Sequence, residues 1–327
     1  MNQLALFLPD NPGPPEFEPL PALLEADMSA AGKFIRDAAA ASTRRAYRSD
    51  WRLFTAWCTT RGAEPLPATP AIVAAFLATE VHRGTKAATI TRRAAAIRYA
   101  HRLAGHEPPT SAEAVRATVK GIRRTIGTAK EQKAPATADL IMKMLAHMPD
   151  TLGGKRDRAL IALGFAGAFR RSELVALTMA DLVEAPDGYR VLIRHSKTDQ
   201  EGQGQEVAIP RGYRLRPVEA VQTWLAAAEI NDGPVFRPVL KGGRLQPVAL
   251  KDHAVAAVVK RYAELAGLDP ALFAGHSLRA GFLTSAAEAG ASVFKMMAVS
   301  RHRSVDTLQS YVRSADAFKD HAGAAFL

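Results

Sequence analysis

The sequence predicts a mostly α-helical protein of two domains, the second carrying a small antiparallel sheet. Three observations carry this prediction. Apolar residues recur at steps of three and four through most of the chain, the period of helices with one buried face. Alternation of apolar and polar residues is confined to "YRVLIRH", followed by the turn-rich "SKTDQEGQGQ" and the apolar "EVAIP", the pattern of a β-hairpin. The polar segment "GTAKEQKAPAT", 127–137, ends its run in Ala-Pro and interrupts the helical period. It reads as a linker over 129–136, between domains at 27–128 and 137–327. The chain's 327 residues suffice for about two domains.

Residues 1–26 are proline-rich with scattered acids and read as a disordered lead-in. They lack a basic start and a long apolar run, so they do not read as a secretory signal. Ser42 is expected to cap the first helix. Tyr47, Trp51, Phe54, Trp57 and Cys58 fall on its apolar face, with Arg44, Arg45, Arg48 and Arg52 between them. In "ATPAIVAAFLATEV", Thr69 is the N-cap and Pro70 the first helical residue, where a missing N–H costs nothing. In "TKAATITRRAAAIRYAHRLAG" the alanines, Ile90 and Ile97 face a core, and Lys86, Arg92, Arg93, Arg98 and Arg102 point outward. Ser111 begins a fourth helix, with Val115, Val119, Ile122 and Ile126 on one side. The first domain is thus four or five short helices.

Thr137 caps the first helix of the second domain. Helices follow at 156–166 and from about 171, then the hairpin, then helices at 217–229, 250–266, 277–289 and 292–299. No internal repeat is evident.

Net charge is +11, and its distribution is uneven. Residues 1–32 carry −5 and residues 33–133 carry +12. One block supplies the whole excess, the electrostatic footprint of a polyanion binder. Nucleic acid is the expected partner. The single cysteine, Cys58, excludes an intramolecular disulfide framework and a multi-cysteine zinc site. It reads as a small buried hydrophobe beside Trp57. No apolar run reaches the roughly 20 residues of a membrane span. A cytoplasmic protein is expected.

Four basic motifs lie in the second domain. Arg170 falls near the start of a helix in "GAFRRSELVAL", with Glu173 three residues on, on the same face. Lys197 sits in the hairpin loop "HSKTDQ". His276 and Arg279 are spaced i and i+3 in "GHSLRAGF". His302 and Tyr311 belong to "RHRSVDTLQSYVR". Taken singly each is weak. An Arg–Glu pair three apart is most often a surface ion pair of small worth, a His-x-x-Arg pair is usually a solvated face, and a tyrosine usually packs. Their order along one basic chain is more specific.

This ordered set resembles the tyrosine recombinase, or phage integrase, family, with the hairpin loop and the "GHS-x-R" box closest to its Cre-like branch. The resemblance implies a helical, SAM-like N-terminal core-binding domain and a mixed α/β catalytic domain, mainly helical with a small antiparallel sheet. It implies site-specific recombination through a covalent 3′-phosphotyrosyl intermediate. Arg170 and Arg279 match the arginines that clamp the phosphate, with Glu173 as a structural partner. Lys197 matches the acid that protonates the leaving 5′-oxygen. His276 matches a proton-transfer group, His302 a phosphate hydrogen-bond donor, and Tyr311 the nucleophile. Two departures stand out. Gly167, Ala168 and Phe169 replace the common Thr-Gly-Leu, and Arg301 stands where the family usually has glycine. An arginine at 301 has two readings, a phosphate contact or an altered helix entry.

The resemblance also implies no metal, no cofactor and no ATP. The partner is a double-stranded recombination site, gripped by the two domains as a C-shaped clamp. Arg44, Arg45, Arg48, Arg92, Arg93 and Arg98 are the candidate DNA contacts. Four protomers hold two duplexes, and Phe318, Ala322 and Phe326 in the tail form a stripe that docks on a neighbouring protomer. Two alternatives remain open from sequence: a type IB topoisomerase, and a silent DNA-binding regulator on the same fold.

Overall fold

The computed structural model describes residues 27, 40–129, 133–196, 199 and 202–315. The lead-in expected over 1–26, Lys197 and the tail stripe of Phe318, Ala322 and Phe326 lie outside the described residues. The chain divides into two compact units, Met1–Glu131 and Gln132–Leu327.

The first unit contains four α-helices among its described residues: α1 (Ala41–Thr59), α2 (Pro70–His82), α3 (Ala87–Leu103) and α4 (Glu113–Ile126). The cap expected of Ser42 is not made there. The helix starts at Ala41 with Ala40 as its N-cap and no side-chain cap bond. Thr69 does cap α2, its Oγ1 accepting from the Ile72 N–H at 3.4 Å, with Pro70 at the first turn. The core gathers Trp51, Phe54, Trp57, Cys58, Phe76, Ile90 and Ile97. Phe76 packs edge-on against both Phe54 and Trp57. Cys58 is fully buried, and burial pushes its thiol up to about 11. His101, also fully buried, staples the unit. The Ala68 N–H donates to its Nε2 at 2.9 Å, so Nδ1 carries the proton and donates to the Ile97 carbonyl at 2.9 Å.

The second unit is built on α6 (Leu152–Ala166), which is buried along most of its length. Around it lie α5 (Ala138–Ala146), α7 (Arg171–Ala176), α8 (Pro217–Ala227), α9 (Asp252–Leu265), α10 (Ser277–Glu288), α11 (Val293–Ser300) and α12 (Asp306–Ala315). The sheet has three antiparallel strands in the order β1 (Leu182–Ala185), β2 (Gly188–Ile193), β3 (Gln205–Pro210). The hairpin expected from alternation is β2–β3. Tyr189 pairs with Ile209 and Val191 with Val207, and all four face the core. β1 was not expected. Its four residues, "LVEA", are only half-buried or exposed, so they carry no alternation. Trp224 on α8 is buried and donates its Nε1–H to the Val235 carbonyl at 2.8 Å.

Residues 133–136, expected in the linker, are fastened to the second unit instead. The Ala134 N–H donates to the Leu272 carbonyl at 2.8 Å and the Ala136 N–H to the Ser277 carbonyl at 2.9 Å. Ala136 is fully buried, because a chain whose amides are satisfied there can leave solvent.

Candidate functional site

The site begins where α6 ends. Ala168 takes a left-handed backbone, φ 44°, and the chain turns so that the carbonyls of Gly167 and Ala168 accept from guanidinium groups. Arg170 then stands at the N-cap of α7. Its backbone N–H donates to Glu173 Oε2 at 2.9 Å and its Nη1 to Oε1 at 2.6 Å. Glu173 is buried, so this pair is not the weak surface contact that the spacing alone suggests.

Arg279 lies on α10 and is 1% exposed. Its Nη1 donates to the Ala168 carbonyl at 2.8 Å. Its Nη2 stands 3.2 Å from Nε2 and 3.4 Å from Nδ1 of His302. An arginine only donates, so the imidazole facing it is held neutral. Ser300 Oγ lies 2.8 Å from His302 Nδ1. Burial, reinforced by Arg279 and Arg170, pushes His302 down to about 4. Arg279 is itself pushed down to about 9, first by burial and then by Arg170 and Arg301.

Tyr311 sits on α12, half-buried beside Leu283, Met296 and Leu308. It therefore does pack, as most tyrosines do. Its hydroxyl also feels the site: burial raises its pKa, and Arg279 pulls in the opposite direction. His276 is the N-cap of α10 and is exposed, whereas Arg279 one turn on is buried. The two do not share one face in the sense the spacing suggests, although His276 is close enough to lower His302. The Asp199 carboxylate accepts from the N–H groups of Gly202, Gln203 and Gly204; Lys197 lies outside the described residues.

The arrangement brings Arg170, Arg279, His302 and Tyr311 together from four separate elements, with Arg279 facing His302 and acting on the Tyr311 hydroxyl. The phage integrase family model matches residues 136–317, and the model for the phage integrase N-terminal SAM-like domain matches 34–107. The chain belongs to the phage integrase family. It is a tyrosine-type site-specific recombinase. It is 41% identical to an integrase/recombinase XerD homolog of Selenomonas ruminantium, over 86% of this chain and 84% of that relative. It is 25% identical to the Cre recombinase of Escherichia phage P1, over 81% of this chain and 82% of that one. Its fold resembles that of the XerH site-specific recombinase in a post-cleavage complex with a palindromic difH substrate (TM-score 0.59, 16% identity, 79% of this chain and 72% of that one).

Two residues of the candidate site were not singled out for the part they play. Ser300 holds the His302 ring and carried no signal in the sequence beyond its place at a helix end. Arg301 carried one, an arginine where glycine is usual. Its side chain is 1% exposed, and both Nη groups are taken up by the carbonyls of Gly167, Val299 and Ala168 and by the Glu173 carboxylate, which favours the altered helix entry over a phosphate contact. Arg301 caps α11 in the left-handed conformation, φ 59° and ψ 36°.

In the recombinase's first unit the basic residues divide. Arg45, Arg48 and Arg52 are exposed along α1 around a shallow hollow. Arg44, one turn earlier than Arg48, is half-buried. Arg92 is exposed and reaches Asp50 at 3.2 Å. Arg98 is exposed, its Nε donating to Thr110 Oγ1 at 3.3 Å. Arg93 is turned inward: 12% exposed, it pairs with Asp50 at 3.7 Å and with Glu80. The outward orientation expected of Arg93 is corrected, because two buried carboxylates from α1 and α2 attract it more than solvent does.

Proposed function

We propose that the second unit cleaves and rejoins DNA through attack of Tyr311 on a backbone phosphodiester. The observation that supports this most is a charge imbalance. Arg170 and Arg301 share Glu173, the one carboxylate hydrogen-bonded to either among the described residues, and Arg279, bonded to the same Ala168 carbonyl as Arg301, adds a third cation with no carboxylate partner of its own there. Such an excess of cations is prepared for an anion. Attack builds negative charge on the nonbridging oxygens, and the forks of Arg170 and Arg279 suit those oxygens. Held in place beforehand, they stabilise the transition state more than the ground state, supplying the charge that a metal supplies in many phosphoryl-transfer enzymes.

In this reading the Tyr311 oxygen bonds to phosphorus and the bond to the 5′-oxygen breaks. Lys197 protonates that oxygen, His276 assists loss of the tyrosine proton, and His302 hydrogen-bonds the phosphate. The 3′-phosphotyrosyl link stores the energy of the broken bond, so religation to a partner strand needs no ATP. The exposed arginines of α1 and α3 hold the duplex, in part by phosphate contacts and in part by base edges. The working assembly is a homotetramer on two duplexes in the cytoplasm. An apolar hollow of about 420 Å³, lined by Phe165, Pro210, Tyr213 and Phe282 among others, suits the Phe318–Phe326 stripe of a neighbouring protomer. The test is a nicked duplex whose cut fragment diffuses away and blocks religation. A covalent adduct should persist on a denaturing gel, and its tryptic map should place the DNA on the peptide of Tyr311. An adduct on any other residue overturns the assignment.

A further inference from the structure

We infer that Arg301 is a positioning residue that holds the two clamp arginines of the recombinase site in one geometry. The inference rests on the reading of Arg170, Arg279 and Tyr311 given above. Its ground is connectivity. Arg301 Nη2 donates to Glu173 Oε2 at 2.9 Å, and Glu173 is also the partner of Arg170. The same Nη2 donates at 3.1 Å to the Ala168 carbonyl, which is also the acceptor of Arg279. Nη1 donates to the Gly167 carbonyl at 3.0 Å and to the Val299 carbonyl at 2.5 Å. One guanidinium thus reaches both anchors, the carboxylate of one clamp arginine and the carbonyl of the other. Its carbon also lies 5.2 Å from the centroid of the Phe169 ring, a cation–π distance.

The backbone strengthens the case. A left-handed residue bearing a Cβ is strained, and glycine adopts that conformation without penalty. Glycine is the common residue of the family here, and it fits the turn better. The chain nevertheless holds an arginine at this point, with its side chain buried rather than turned to solvent. Strain at a site is a pointer to what the side chain does there. The next residue is His302, so the same turn also sets the ring that faces Arg279.

The experiment uses the full chain on the nicked duplex at saturating DNA, with Arg301→Gly and Arg301→Lys. Arg301→Gly should lower single-turnover cleavage roughly 10–100-fold, the range seen when the support of a reacting group is removed. The DNA dissociation constant should stay within about twofold, because no phosphate contact is lost. Arg301→Lys should recover part of the rate. A second substrate carries a neutral methylphosphonate at the cleaved position, which removes one nonbridging oxygen and one of the two negative charges that the transition state presents to the clamp. On it the gap between wild type and either variant should shrink. Wild-type cleavage by Arg301→Gly, or an equal deficit on both substrates, overturns the inference. If Arg301→Gly does not fold, Arg301→Lys carries the same comparison. Tyr311→Phe runs alongside. An adduct from that variant overturns the reading of the site, whereas its absence together with a wild-type rate for Arg301→Gly overturns only the role of Arg301.

Discussion

Both units bury arginines against carboxylates, but they balance them differently. In the first, Arg92 and Arg93 meet Asp50, while Arg93 and Arg83 meet Glu80. In the second, Arg170 and Arg301 share Glu173, and Arg279 has only carbonyl and imidazole partners among its hydrogen bonds. The two buried acids respond in opposite directions. At Asp50, burial outweighs Arg92 and Arg93 and raises the pKa, and one carboxylate oxygen is left without a hydrogen bond. At Glu173, burial is outweighed by Arg301 and Arg170, and the pKa falls. A cluster in which every arginine meets a carboxylate is a joint between helices. A cluster short of acids, its cations held by backbone carbonyls, is prepared for an incoming anion.

The sharpest way to break that contrast is Tyr311→Phe. It should form no covalent adduct at all, while binding DNA as wild type in a gel-shift titration, because every cation remains. An adduct on a denaturing gel refutes it. Next in size, Arg279→Ala and Arg170→Ala should each slow cleavage at saturating DNA by about two to three orders of magnitude, the loss expected for one transition-state donor. Arg93→Ala belongs to the other kind of cluster. It should leave cleavage by the folded protein intact and lower stability by about 2 kcal/mol in a denaturant titration, since it removes the arginine that Glu80 and Asp50 share and leaves each with one exposed partner. If Arg93→Ala instead lowers the cleavage rate as Arg279→Ala does, the two clusters are not different in kind.

Lys197→Ala should lose cleavage of an ordinary duplex and regain most of it when sulfur replaces the leaving 5′-oxygen, since a thiolate departs without a proton. An equal deficit on both substrates removes lysine from the acid role. Smaller still, Arg45→Ala should weaken binding and reduce the salt slope of the affinity by about 1, with the melting temperature unchanged. The smallest effect concerns pH. His302 titrates near 4 in the fold against 6.5 in the unfolded chain, so the unfolded chain binds more protons between those values. The stability contributed by neutral His302 is therefore full above pH 6.5 and falls as pH drops toward 4. His302→Gln should flatten that limb of a stability–pH curve; an unchanged limb means the ring does not titrate there.

Most helices and the order of the candidate-site residues were legible because both are local or ordered along the chain. Thr69-Pro70 announces α2, and the alternation of Tyr189, Val191 and Ile193 announces β2. The order of Arg170, His276, Arg279, His302 and Tyr311 carried the family. What stayed hidden depends on distant partners. Arg93 reads as outward on its own helix, and nothing within α3 shows that Asp50 and Glu80 wait on the other side. Arg301 reads as a departure from glycine, but its partners Gly167, Ala168 and Glu173 lie more than a hundred residues away. β1 is too short and too exposed to leave a pattern.

The helix that carries Arg279 is also the one against which the chain enters the second unit. Gly281 faces the Ala136 carbonyl so closely that a Cβ there would stand 1.8 Å from its oxygen. The Ala138 N–H continues the seam, donating to Ser285 Oγ at 2.9 Å. The second unit is therefore fastened several residues ahead of its first helix, at Lys133, whose Nζ donates to the Ala271 carbonyl at 2.8 Å. A protease cut before Lys133 leaves this seam whole. A cut after Ala136 frees the strand that covers Gly281 and loosens the seat of α10.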